Sequence, residues 1–303
     1  MPGGRIASWQ PGPTRFVALD IDGTLVRDEP VPSARIQSAV GRLAAAGVRV
    51  GLATGRMAAA ADALLATGVL TGPHVFHNGA VVTGVLGDDD LVLGLSDEEV
   101  DAVLALGRSR DDLAVEIYVG RTYLSDRKDP RCAPHAQLLG VAPAGCVSRA
   151  DDLAGRAAVK AVLVCFTAAA AAEMVVEVAR LGLAAGPAGS PATPQLRYVN
   201  VTRAGVDKGS GMVAAATSLG VDPSSVVMIG DESNDIPALA RAGTAIAMGG
   251  SPPEVVAASH LVAPTFTESG AAVALEALAI RAVAGVVAGA GGDRSGSQRA
   301  PGT

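Results

Sequence analysis

Strand-like segments that run straight into a polar tip recur along this chain, and that pattern narrows its fold more than any other feature. Residues 16–19 lead into Asp20-Ile21-Asp22-Gly23-Thr24, residues 48–53 into Thr54-Gly55-Arg56, and residues 226–229 into Gly230-Asp231-Glu232-Ser233-Asn234-Asp235. Short, largely apolar runs bounded by turn residues suit strands buried on both faces of a parallel sheet. Helical stretches alternate with them: one follows Ser33, a good N-cap, and closes at Gly47, one covers residues 57–67, and one begins at Lys208 and closes at Gly220. Parallel strands joined through helices require right-handed crossovers and a layered α/β domain.

Over residues 83–198 the rhythm changes. Helices over 96–106 and 168–181 alternate with strands over 115–119, 122–125 and 159–166, and Asn78-Gly79 marks a tight turn just before them. The chain therefore divides into an α/β core, a Rossmann-like doubly wound parallel sheet over residues 15–82 and 199–288, and an inserted α+β domain over residues 83–198. Residues 1–14 read as a flexible leader, and residues 289–303 have the composition of a disordered tail.

A chain of 303 residues, 49% hydrophobic and 18% charged, can bury the cores that two domains need. A net charge of −6 without a Lys/Arg cluster argues against nucleic acid as a partner, so a small anionic ligand needs locally placed positive charge. The apolar stretches over 161–172 and 282–290 fall short of the ~20 residues that span a bilayer, so no membrane span is expected. Cys132, Cys146 and Cys165 are odd in number and show no metal-ligand spacing, which suits a reducing cytoplasm. Asp88-Asp89-Asp90, beside Gly87, reads as a solvated loop.

Side chains alternate along a strand, so Asp20 and Asp22 leave it on one side while Ile21 points to the other. Two carboxylates sharing a small volume repel unless a proton or cation lies between them, and their oxygens are the hard ligands that Mg2+ prefers. Gly23 lets the chain turn sharply, and the Thr24 hydroxyl or nearby N–H groups could hold an anion. Ligands of open parallel sheets bind beyond the carboxyl ends of the strands, where Asp20, Asp22, Thr54 and Asp231 all stand. These residue types suit phosphoryl transfer, whose barrier is lowered by positioning the group and neutralising its charge. One carboxylate would attack phosphorus, while the other protonates the leaving oxygen and then activates water. Asp231 would complete an oxygen shell around the metal, and Thr54 and Lys208 would bind phosphate oxygens as hydroxyl donor and fixed positive charge.

With these motifs in order, the chain resembles the haloacid dehalogenase superfamily, and within it the Cof-type phosphatases with a class IIB cap between the third strand and the lysine motif. The first motif, DxDGT, is Asp20-Ile21-Asp22-Gly23-Thr24, which implies Asp20 as nucleophile and Asp22 as acid/base. The second falls on Thr54, followed by Gly55 and Arg56, whose Cof-group counterpart is thought to clamp substrate. The third is Lys208 within GVDKG, and the fourth, GDxxND, supplies Asp231, Asn234 and Asp235. The resemblance implies Mg2+ bound by the Asp20 carboxylate, the backbone carbonyl at Asp22, and Asp231. It implies a cytoplasmic phosphatase of a small phosphorylated metabolite, a sugar or cofactor phosphate, acting through an aspartyl-phosphate. A phosphomutase of the same superfamily and a non-catalytic phosphate-ligand binding protein are the alternatives. Glu232 stands where Cof members often carry glycine. His74, His77, His135 and His260 show no metal spacing and read as structural. Neither the physiological substrate nor the oligomeric state is encoded in a motif.

Overall fold

The computed structural model describes residues 4–5, 14–27, 29–85, 90–108, 110–190 and 192–292. The remainder of the leader and tail, residues 293–303 among them, and Asp88 and Asp89 of the acidic run lie outside the described residues. The chain separates into two compact units, one from Met1–Gly51, Thr67–Gly72 and Gly220–Thr303, the other from Leu52–Ala66 and Pro73–Leu219.

A six-stranded sheet organises the first unit, in the order Gly4–Arg5, Leu261–Thr265, Thr244–Gly249, Val226–Gly230, Phe16–Leu19 and Arg49–Leu52. Phe16–Leu19 pairs in parallel with Val226–Gly230, with Leu19 opposite Ile229. Thr244–Gly249 and Leu261–Thr265 continue the parallel pairing. All side chains of Phe16–Leu19 are fully buried, as expected of a central parallel strand covered on both faces. Helix Ala34–Ala45 starts at Ser33, whose hydroxyl accepts the Ile36 N–H. That helix packs against Gly270–Gly292, and Arg35 binds Glu276 in a two-pronged ion pair at 2.8 and 2.9 Å. The α/β, Rossmann-like fold is thus present.

Several local features differ from the sequence reading. Within the expected leader, Gly4–Arg5 form an edge strand beside Leu261 and Val262, and the last helix continues to Gly292, past the expected tail start at residue 289. Residues 57–67 do not make one helix. They form a 3-10 turn, Ala58–Ala61, and a short helix, Asp62–Leu65, because neither start has a side-chain cap. In the second unit, His74–Phe76 pairs antiparallel with Val81–Thr83 in a small three-stranded sheet with Leu91–Val92, and Val75 makes one isolated parallel bridge to Ala53.

The second unit contains a five-stranded antiparallel sheet, in the order Ala184–Ala188, Arg197–Thr202, Ala158–Cys165, Leu113–Val119 and Thr122–Ser125. Ala184–Ala188 has weak strand propensity and contains Pro187, which an edge strand tolerates. One face of the sheet is apolar. Leu113, Val115, Ile117, Leu163 and Val199 join Val103 and Leu104 of helix Asp97–Arg108 and Met174 and Val178 of helix Ala168–Arg180 in a single core. The strand alternation sends Glu116, Tyr118 and Lys160 to the other face, with Tyr118 opposite both Tyr123 and Lys160. Among the described residues no helix is long and apolar enough to cross a membrane.

Candidate active site

In the first unit the parallel register sets two acidic tips side by side. Asp20 follows its strand directly and its N–H donates to Ile229 O at 2.9 Å, so it stands next to the chain leading into Asp231. Carboxylate oxygens of Asp20, Asp231 and Asp235 come within 4.8 Å of one another. Asp20 and Asp235 are buried and Asp231 is partly exposed. Asp235 Oδ2 accepts the N–H groups of Asp231 (2.9 Å) and Glu232 (3.0 Å), which fixes the turn that presents Asp231. The Thr24 hydroxyl donates to Asp231 Oδ1 at 2.9 Å and so orients that carboxylate.

Gly23 has φ +77°, and a Cβ there would fall 2.2 Å from Asp231 Oδ2, so both the turn and the approach of Asp231 demand glycine. Asp22 is exposed and is not part of the three-carboxylate group. Asn234 is exposed in the 3-10 turn Ser233–Asp235. Beside Gly23 and Asp231 lies a cavity of about 340 Å³ that also touches Glu232, Gly250 and Ser251. Three carboxylates so close together, two of them buried, form an all-oxygen donor set suited to a hard divalent cation.

In the second unit, Thr54, Gly55 and Arg56 are locked to the turn that follows His74–Phe76. Thr54 N–H donates to Val75 O (2.9 Å), Asn78 N–H to Thr54 O (3.1 Å), and His77 N–H to Arg56 O (3.0 Å). The Thr54 hydroxyl accepts the Arg56 N–H at 3.1 Å, and Arg56 Nη1 donates to Ala60 O. His77 and Asn78 sit at φ +53° and +55°, strained values for such residues that a functional loop can store. At Gly79 a Cβ would lie 2.0 Å from Asp207 O, so only glycine lets this turn meet the start of helix Lys208–Ser218. Asp207 caps that helix by accepting the Ser210 N–H at 2.7 Å. Lys208, its first residue, is buried.

The sequence reading passed over Lys160. Its Nζ donates to Gly55 O at 3.3 Å and to Asn200 Oδ1 at 3.2 Å, and stands 4.8 Å from the Tyr118 ring centroid. Burial pushes its pKa down to about 8 against the opposing pull of Glu116. Burial, helped by the Lys160 charge, holds the His77 pKa well below the ordinary imidazole value, so His77 is neutral. A lone lysine within the apolar strand Ala158–Cys165 was the available signal. A cleft of about 990 Å³ between Arg110, Arg131, Phe166 and Glu173 borders none of the candidate residues.

A family model described as haloacid dehalogenase-like hydrolase matches residues 17–275, a span that includes all four motifs. The chain belongs to the haloacid dehalogenase-like hydrolases. Within that family it is a phosphatase of the Cof type. It is 25% identical over 234 residues to phosphoglycolate phosphatase of Methanopyrus kandleri, covering 77% of this chain and 84% of the relative. It is 27% identical over 243 residues to HMP-PP phosphatase of Cronobacter sakazakii, covering 80% and 87%. A solved subclass IIB sugar phosphatase of the superfamily superposes with a TM-score of 0.73 at 22% identity, covering 88% of this chain and 100% of the other, a likeness of fold.

Proposed function

We propose that this haloacid dehalogenase-like hydrolase is a cytoplasmic, Mg2+-dependent phosphomonoesterase of a small phosphorylated metabolite, working through an aspartyl-phosphate. The observation that carries the reading is the meeting of Asp20, Asp231 and Asp235 at the ends of adjacent parallel strands. Asp20 and Asp231, with the Asp22 carbonyl, would hold the ion, and Asp235 supports Asp231 through its backbone N–H. Bound there, Mg2+ would supply positive charge against the phosphoryl oxygens.

An oxygen of Asp20 attacks phosphorus, the ester P–O bond breaks, and the leaving oxygen takes a proton from Asp22. Asp22, now a carboxylate, removes a proton from water, whose oxygen attacks the same phosphorus. Inorganic phosphate departs and the Asp20 carboxylate is regenerated. Thr54 and Lys208 hold the phosphoryl oxygens, with Gly55, Arg56 and Asn234 as further phosphate contacts. The names of the relatives support a sugar phosphate or a comparably small metabolite as substrate.

A panel of phosphomonoesters assayed for phosphate release with and without Mg2+ tests this. Release that needs Mg2+ and stops with chelator is expected. Full activity after exhaustive chelation, or no release from any ester, would remove the reading.

A further inference from the structure

Lys160 brings a charge into a strand that otherwise reads Ala, Val, Leu and Cys. It is buried and makes no ion pair among the described residues. A buried cation without a paired anion is costly, and such a charge is kept where something else compensates it. Lys160 meets dipoles: its Nζ donates to Gly55 O at 3.3 Å and to Asn200 Oδ1 at 3.2 Å. Lys160, Asn200 and the Thr54-Gly55-Arg56 loop all belong to the second unit.

The Gly55 carbonyl is one end of a peptide group whose other end is the Arg56 N–H. In a planar trans peptide these two ends point in opposite directions, so fixing one fixes the other. The Arg56 N–H donates to the Thr54 hydroxyl oxygen at 3.1 Å. The peptide is confined from another side as well, since a Cβ at Gly55 would lie 2.9 Å from Asn78 Oδ1. A hydroxyl has one hydrogen to donate and two lone pairs to offer. With one lone pair of Thr54 taken by Arg56, its hydrogen is left for another acceptor. Every bond from Lys160 to Thr54 runs in the same direction, ammonium to carbonyl and then N–H to hydroxyl, and bonds in such a chain polarise and strengthen one another.

We propose that Lys160 is a positioning residue for phosphoryl transfer, which acts through the peptide between Gly55 and Arg56 to orient and strengthen the Thr54 hydroxyl as a donor to a phosphoryl oxygen. It does so without touching substrate. The proposal rests on the phosphatase reading above and adds a residue to its machinery. The groups that face Lys160 are Glu116 and Tyr118 on strand Leu113–Val119, the neutral amide of Asn200 on strand Arg197–Thr202, and the neutral imidazole of His77. Burial lowers the Lys160 pKa to about 8 against the opposing pull of Glu116, so its charge is lost as pH rises through that value. A neutral amine still donates to Gly55 O, so the loop keeps its shape while the polarisation fades.

The test is a double-mutant cycle of Lys160→Met and Thr54→Ala on the fastest ester of the panel above, read at enzyme excess so that slow variants are still measured. Lys160→Met should lower the rate of phosphate release by about tenfold or more in the wild-type background, the effect of losing one charge-assisted hydrogen bond. In Thr54→Ala, where no hydroxyl remains to be strengthened, the same substitution should cost less than about twofold. Equal losses in the two backgrounds would make Lys160 a support of the fold alone and overturn the proposal, as would an unchanged rate in folded Lys160→Met. A second measurement leaves Lys160 in place. Between about pH 7 and about pH 9.5 the wild-type rate should decline with a midpoint near 8, beyond any decline in Thr54→Ala. Parallel pH profiles overturn the proposal even if Lys160→Met does not fold. No release by wild type from any ester of the panel overturns the phosphatase reading itself.

Discussion

The carboxylate of Asp231 occupies the space that a side chain on Gly23 would need, since a Cβ at Gly23 would fall 2.2 Å from Asp231 Oδ2. Gly23→Ala therefore imposes two penalties: a left-handed backbone costing about 1–2 kcal/mol for an L-residue, and a displaced carboxylate. Phosphate release should fall by about 100-fold, as expected when a catalytic group moves by about an ångström, and a thermal melt should show a loss of several degrees. Turnover close to wild type would show that the position of Asp231 is not critical.

Asp20→Asn should abolish turnover and leave the fold intact, because an amide is neither a nucleophile nor an anionic ligand. The substitution relieves repulsion within a group whose oxygens lie within 4.8 Å of one another, so the melting temperature should hold or rise. Single-turnover phosphate release is the measurement. A rate within about tenfold of wild type, a barrier change of only ~1.4 kcal/mol, would remove Asp20 from the nucleophile's role.

Lys208 begins a capped helix, where its charge and the helix N-terminus both favour an anion. Lys208→Met should lower kcat more than it raises KM if the charge acts chiefly on the transition state. Steady-state kinetics on one good substrate decides this, and an effect confined to KM would make Lys208 a ground-state binding residue.

Stability should fall with acid through His74. Its Nδ1 accepts the Leu52 N–H at 3.3 Å, and burial lowers its pKa from 6.5 to about 4. The unfolded chain takes up this proton at pH values where the folded chain does not, so the stability present above pH 6.5 declines as pH falls towards 4. Over that window the loss reaches roughly 3 kcal/mol for this group. Urea unfolding at pH 7 and pH 5 should show the decline, and His74→Asn should flatten it. An identical pH dependence in the variant would assign the effect to other groups.

The polar tips were legible because each motif is local. The Asp20 to Thr24 turn, the Ser33 cap and the Lys208 helix follow from residue types a few positions apart, and the structure forms them within a residue or two of the expected bounds. The Asn78-Gly79 turn was equally local, and His74–Phe76 and Val81–Thr83 pair antiparallel across it. The partner of the Thr24 hydroxyl was open in the sequence, because a hydroxyl can donate to a bound anion or to a neighbouring side chain, and only the position of Asp231 makes that carboxylate the acceptor.

By itself the sequence determined the layered α/β core, the four motifs and their family, since periodicity and short spacings carry that information. Only the tertiary structure decided that Asp235, and not the Asp22 side chain, joins Asp20 and Asp231 in one carboxylate group. Asp20 and Asp235 are separated by most of the chain, and strand register brings their carboxylates together with Asp231. The surroundings of Lys160 were not legible beyond its being a lone lysine in an apolar strand, because a buried lysine takes its meaning from what lies within a few ångströms of its Nζ. Here those neighbours are Gly55, Tyr118 and Asn200, contributed by three separate stretches of the chain, and the pairing of strands is what brings them to the lysine.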